Sequence, residues 1–313
     1  MSLRDVRFDI LNIIDLNPSW IGNLNYNPVE AIVKHGKSHH LLTFLEDVYG
    51  FRKDNPIMSE IRYFHYKSPY VDTIFKDLKL KSLGISKINS ADMDIILDIL
   101  TLLAKINHFK IYNKNHIDQL CREINKSRLI DKVSILRVRA MFLYYMNKLG
   151  YENIFSDRSL KKIEEYQNSD GGWPVEALSE KKDSDVFTTL FIYRTFIMNN
   201  LWSAKPFLEK ARSYLLLNHL NSEHSNEEMD KWNRIYSGYK KNNVFEGGTI
   251  LLLESLILGK NNDLSKIKSI SKWLKDLQFN DGFFPYHAKL KSEKNISSTI
   301  KILSLIKKSH LLK

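Results

Sequence analysis

Few residues in this 313-residue chain have both the type and the spacing to do chemistry. Asp183 and Asp185 flank Ser184 and directly precede an apolar run, Val186–Met198. A carboxylate there meets the free amides and the positive dipole end of a helix, so it either caps that helix or serves as a functional acid. Glu246, before Gly247 and Gly248, stands in the same relation to the next apolar run. Asp183, Asp185 and Glu246 are also the carboxylates from which a glycoside-cleaving pair would be drawn. His287 follows Phe283, Phe284, Pro285 and Tyr286 and reads as a surface-loop imidazole or, more sharply, as a base facing a cavity. His35 and His39 have i, i+4 spacing. No acidic third ligand is in register and Gly36 weakens the helix, so no metal is expected there. Arg137, Arg139 and Arg194 lie in largely apolar runs, where a buried guanidinium needs an acid or a phosphate. Asp183 and Asp185 are acids that could serve Arg194.

The elements that position these groups read as helices. Gly is 12 and Pro is 7, few turn residues for a β-sandwich or barrel of this length. Ser159–Tyr166, Phe207–Leu217 and Lys266–Leu277 are amphipathic, whereas Val133–Met146, Val186–Met198 and Thr249–Leu258 are apolar nearly all round. A helix apolar on every side must be enclosed by others, so half-wet and dry helices in alternation imply two layers with the dry ones inside. The expected fold is all-α, an (α/α) barrel or partial toroid of about five to six helix hairpins. Residues 1–313 read as one domain, faintest over 1–110 and clearest over 117–308. In the faint part, Ala91–Ile106 reads as a helix capped by Ser90 or Asn89, and His116–Ile124 pairs with Val133–Met146. Phe44, Leu45, Tyr49, Gly50 and Phe51 read as a worn repeat.

Two stretches repeat in register. Lys162-Ile163 is followed after three residues by Gln167 and then Asn168-Ser169-Asp170-Gly171-Gly172-Trp173-Pro174. Trp273-Leu274 is followed likewise by Gln278 and Phe279-Asn280-Asp281-Gly282-Phe283-Phe284-Pro285. The glutamines are ~110 residues apart, about twice a helix-hairpin repeat. A degenerate copy lies between them, from Tyr214 and His219 to Phe245-Glu246-Gly247-Gly248.

Gln167 to Trp173 resembles the QW motif of squalene–hopene and oxidosqualene cyclases, and Gln278 to Phe284 resembles it with Phe in place of Trp. The resemblance implies the αα-toroid that these cyclases share with protein prenyltransferases. It gives Gln167, Gly172, Gln278 and Gly282 a structural role, the Gln holding orphan backbone groups at a helix end and the aromatic stacking on it. Class II cyclases protonate an alkene with the middle acid of Asp-x-Asp-Asp. By that resemblance Asp185 is the general acid, Asp183 its partner, and Val186 replaces the third acid. Trp173, Phe187, Phe191, Phe284 and Tyr286, with Glu246 and His287, would line an apolar cavity and stabilise carbocations. The prenyltransferase zinc set is incomplete: Asp185 stands in the thiolate position, and Asn295–Thr299 contains no His. There is no Asp-Asp-x-x-Asp run either. No metal or cofactor is therefore expected, with magnesium entering only alongside a diphosphate substrate.

The net charge of +11 reflects either genomic composition or attraction to phosphates. No arginine-rich block or nucleic-acid motif is present, so no nucleic-acid partner is expected. The single cysteine, Cys121, allows no internal disulfide. Arg4, Asp5, Arg7 and Asp9 exclude a secretory signal at the start of the sequence, and no run reaches the ~18 apolar residues of a membrane span. The expectation is a cytoplasmic protein with at most peripheral membrane contact. The leading functional expectation is a terpenoid cyclase-like protein that binds or cyclises an isoprenoid or similar long apolar molecule. A non-catalytic helical-repeat binder of lipid or protein is the second, favoured by the missing third acid. A carbohydrate-active (α/α) barrel is the third.

Overall fold

The computed structural model describes residues 2–66, 118, 121–122, 124–126, 128–177, 183–221, 223–235, 238–240, 243–245, 247–259 and 263–310. Ala91–Ile106 with its caps, most of His116–Ile124, and Glu246 lie outside the described residues. The described residues are mostly helical, so the fold is all-α.

The helices are α1 Leu3–Ile13, α2 Val29–His35, α3 Ser38–Phe44, α4 Pro56–Tyr66, α5 Leu129–Lys132, α6 Leu136–Lys148, α7 Glu152–Glu164, α8 Val186–Ile197, α9 Phe207–Asn218, α10 Asn226–Asn233, α11 Gly248–Leu258, α12 Leu264–Leu277 and α13 Ile296–His310. Two short antiparallel pairs interrupt them: β1 Gly238–Lys240 with β2 Asn243–Phe245, and β3 Phe284–His287 with β4 Leu290–Asn295. The described residues cluster into two compact units. One holds residues 2–66, 233–235 and 263–310; the other holds those from 118 to 232 and 238–259.

In the second unit α8 packs against α6, α9 and α11, and α6 packs against α7. Every residue of α8 is buried, as are residues 248–257 of α11 and most of α6. The neighbours are one-sided: α9 buries Leu208, Ala211 and Leu215, and α7 buries Leu160 and Ile163. The expected alternation of dry and half-wet helices is therefore present. Each fully buried Leu, Ile or Phe contributes roughly 1.5–3 kcal/mol, which is why the all-apolar helices are the enclosed ones.

In the first unit α1 packs on α2 and α4, while α3 packs on α4 and α13. Ser2 and Asp5 close the start of α1 with a reciprocal capping box. α3 runs on into a π-helical turn, Leu45–Tyr49, which ends at Gly50 in the left-handed region at φ 75°. The stretch read as a worn repeat contains a helix terminus.

The two motifs fold into matching clasps. Gln167 Nε2 donates to the carbonyl of Gly171 at 2.8 Å and to that of Phe207, at the start of α9, at 3.1 Å. Gln278 Nε2 donates to the carbonyls of Gly282 at 2.8 Å and Tyr26 at 2.7 Å, and its Oε1 accepts from the amides of Asn25 and Tyr26. Each amide side chain thus satisfies backbone groups at the start of a distant helical segment. The left-handed residues of the turns are Gly171 at φ 94° and Gly282 at φ 86°. The register partner of Gly282 is therefore Gly171 and not Gly172. Gly172 is small for another reason: a Cβ there would lie 2.4 Å from that of Ser184.

Candidate functional site

Trp173 is fully buried; its indole N–H donates to the carbonyl of Ile163 at 2.7 Å. Its ring lies against Phe196 and Phe207. These ring contacts tie the aromatic of the clasp into the core of the helix layer. From Trp173 the chain reaches the start of α8 by a backbone bridge to Asp185. The amide of Trp173 donates to Thr189 Oγ1 at 2.9 Å, and that hydroxyl donates to the carbonyl of Asp185 at 2.8 Å. The second clasp repeats each step. Phe284 pairs with Asn295, the amide of Phe284 donates to Thr299 Oγ1 at 3.0 Å, and Thr299 Oγ1 donates to the carbonyl of Asn295 at 2.8 Å.

This match places Asp185 in a defined chemical role. Its Oδ1 accepts from the amide of Thr188 at 2.6 Å, so Asp185 is the N-cap of α8. Asn295 is its counterpart and accepts from the amide of Ser298 at 2.9 Å. A carboxamide and a carboxylate do the same work at equivalent positions, so the capping itself asks only for an acceptor. Asp183 is exposed. At α11 the N-cap is Gly247, one residue beyond Glu246, so the supposed equivalence of Glu246 with Asp185 is off by one position.

Ser184 organises the rim between the acids. It donates to Asp170 Oδ1 at 2.8 Å and accepts from Asn168 Nδ2 at 2.9 Å, while its carbonyl accepts from the Tyr214 phenol at 3.1 Å. Burial pushes that phenol up to about 12, and the negative charges of Asp170, Asp185, Glu228 and Asp183 add to the effect.

Arg194 meets an acid of another helix. Arg194, on α8 and almost fully buried, meets Glu254 of α11 at 3.7 Å. Its guanidinium carbon lies 3.6 Å from the ring centroid of Tyr144 on α6 and 5.4 Å from that of Phe191. One charge on each of two adjacent buried helices, with an aromatic face beneath the cation, accounts for polar residues inside an apolar layer. The sequence carried the signal, since Glu254 interrupts the apolar run Ile250–Leu258. Nothing in the spacing joined it to a residue 60 positions earlier. Arg139 is also buried and donates to the backbone carbonyls of Val133 and Asp131. Arg137 is exposed.

The aromatics divide by unit. Phe187 is buried against Trp232, ring centroids 5.0 Å apart, and Lys231 Nζ lies 5.5 Å from the Phe187 centroid. His219, the degenerate counterpart of the clasp glutamines, contacts the edge of Trp232 and lies 3.2 Å from Thr249 Oγ1. The buried indole N–H of Trp232 has no acceptor among the described residues. In the other unit Phe284 is fully buried and Tyr286 is half-buried. His287 is not a surface imidazole: it is buried in β3, with backbone bridged to Arg234, and its Nδ1 accepts from the amide of Lys289. The β3–β4 hairpin draws it in.

Among the described residues no group of three His, Cys, Asp or Glu could hold a metal ion, and no helix is long and apolar enough to cross a membrane. No protein-family model and no curated protein matches the chain.

Proposed function

We propose that this chain is a helical-repeat binding protein of terpenoid cyclase-like construction, which holds a long apolar, isoprenoid-type molecule without protonating it. The observation that carries this reading is the equivalence of Asp185 and Asn295 as N-caps of matching clasps. An acid replaceable by an amide is a poor choice for starting a carbocation reaction, and its neighbour Val186 is a buried apolar residue where such chemistry wants a third acid. The binding half of the reading rests on the resemblance of the clasps to QW turns. It is supported by the aromatic group of Phe187 and Trp232, whose buried indole N–H is left for a polar group of a ligand. An apolar ligand of this kind suits a cytoplasmic protein that touches membranes only at their surface, and needs no metal unless it carries a diphosphate.

The test uses the full chain with farnesyl diphosphate, geranylgeranyl diphosphate and squalene. Tryptophan fluorescence reports binding, and gas chromatography of the extracts reports product. Saturable binding of at least one of them without cyclised product is the expected result, unchanged in Asp185→Asn. Cyclised product that disappears in Asp185→Asn would overturn the non-catalytic reading; no binding of any of the three would overturn the ligand class. A carbohydrate-active reading is favoured by one observation, the four carboxylates that act on Tyr214. Release of reducing sugar from a glycan, lost in Asp170→Asn or Asp183→Asn, would replace the first reading with that one.

A further inference from the structure

We propose that His39, His40 and His65 form an acid-operated latch joining α3, α4 and the start of α13. The three imidazoles come from two helices. His39 and His40 lie in the first turn of α3, with ring centroids 4.0 Å apart; His65, in the last turn of α4, lies 6.2 Å from His39. His65 is fully buried, and its Nδ1 is 3.4 Å from the buried hydroxyl of Ser38. The backbone amide of Lys37 donates to His40 Nδ1 at 3.2 Å. That nitrogen therefore carries no proton, and the ring proton sits on Nε2, 3.0 Å from Ser297 Oγ at the start of α13.

The latch is closed only while the rings are neutral. A second proton on His40 must go to Nδ1, where it would confront the Lys37 N–H, so the bond that holds the first turn of α3 is lost. A charge on His39 or His40 also sits at the positive end of a helix, and charges on both would repel at short range. Among the described residues, the charges acting on these rings include, from α3 and its cap, Lys37 and the rings themselves and, from α4, His65; α13 presents the Ser297 hydroxyl. Glu46, in the π-helical turn beyond α3, has Lys53 as its salt-bridge partner.

Burial lowers His39 to about 3, with His40, His65 and Lys37 adding to the shift. Burial lowers His40 to about 4, helped by Lys37, and lowers His65 to about 4 by itself. The sign follows from linkage. The open state binds protons near pH 6.5 and the closed state does not, so closure is unaffected above about pH 6.5 and weakens as the pH falls from there toward about 4. Each ring can shift the equilibrium by up to about tenfold per pH unit in that window.

The experiment is a histidine-ring NMR titration of the full chain, paired with hydrogen exchange at pH 7 and pH 5 corrected for intrinsic rates. Three of the 10 histidines should hold their neutral ring shifts below pH 5. Peptides covering 38–66 and 296–310 should gain exchange at pH 5 ahead of α8 and α11. The triple variant His39→Asn, His40→Asn, His65→Gln should lose that pH dependence. Rings that titrate near 6.5 in the folded protein, or a triple variant that keeps the dependence, would overturn the latch. If the triple variant does not fold, the wild-type ring titration decides alone.

Discussion

At Asp185 the side chain is an acceptor, and the free energy of a single substitution can separate that role from acid chemistry. Asp185→Asn should leave stability within ~0.5 kcal/mol of the parent, because Asn caps as well as Asp, whereas Asp185→Ala should cost ~1 kcal/mol. Urea denaturation measures both; equal losses in the two variants would contradict the capping role. The Arg194–Glu254 pair makes a different prediction. Arg194→Met alone strands a buried carboxylate and should cost about 3–5 kcal/mol, while Arg194→Met with Glu254→Met should recover a large part of it. Additive losses in a double-mutant cycle would show that the two side chains do not act together. At this scale the sequence was a partial guide. It marked Asp185 as cap or acid and marked Arg194 as needing an anion. It could not show that the anion comes from α11, because pairing across helices depends on which faces meet and not on spacing along the chain.

Local signals suffice for much of an element. The alternation of amphipathic and apolar runs is a property of each helix alone, so α8, α9, α11 and α12 could be read with small errors at their ends, whereas α7 begins at Glu152, well before the amphipathic run read from Ser159. Gln, Asp-Gly and aromatic lie within seven residues, so the clasps were legible as well. The Thr hydroxyls that anchor them were not, since Thr189 serves an amide 16 positions away and reads in sequence as one more residue of an apolar helix. These hydroxyls make the repeat testable. Thr189→Val and Thr299→Val keep the shape and leave a buried amide without its acceptor, at ~1–3 kcal/mol each. Losses of similar size in denaturant melts are expected; a loss at only one site would mean that the clasps are not equivalent. Gly171→Ala should be costlier than an ordinary surface change, by roughly 2 kcal/mol or more. It combines a left-handed φ with a Cβ placed 2.5 Å from the carbonyl oxygen of Lys210.

The all-α class of the whole molecule follows from composition and period, whereas the grouping of residues into compact units does not. The unit that contains α1–α4 also contains α12, α13 and the second clasp, an arrangement no local pattern encodes. A chain ending at residue 259 therefore lacks the glutamine that grips Asn25 and Tyr26 and the Lys307 ammonium that donates to the carbonyl of Val48. Limited proteolysis should cut such a chain within residues 14–50 many times faster than the parent; equal protection would mean that those contacts do not hold the segment. The same bond from Gln278 to Tyr26 spans 252 positions. During translation, at about 5–20 residues per second, the earliest helices leave the ribosome roughly 10–50 seconds before their partner is made. Through that interval their greasy faces depend on chaperones or on each other, and the nascent polypeptide is most open to aggregation until Gln278 has been synthesised.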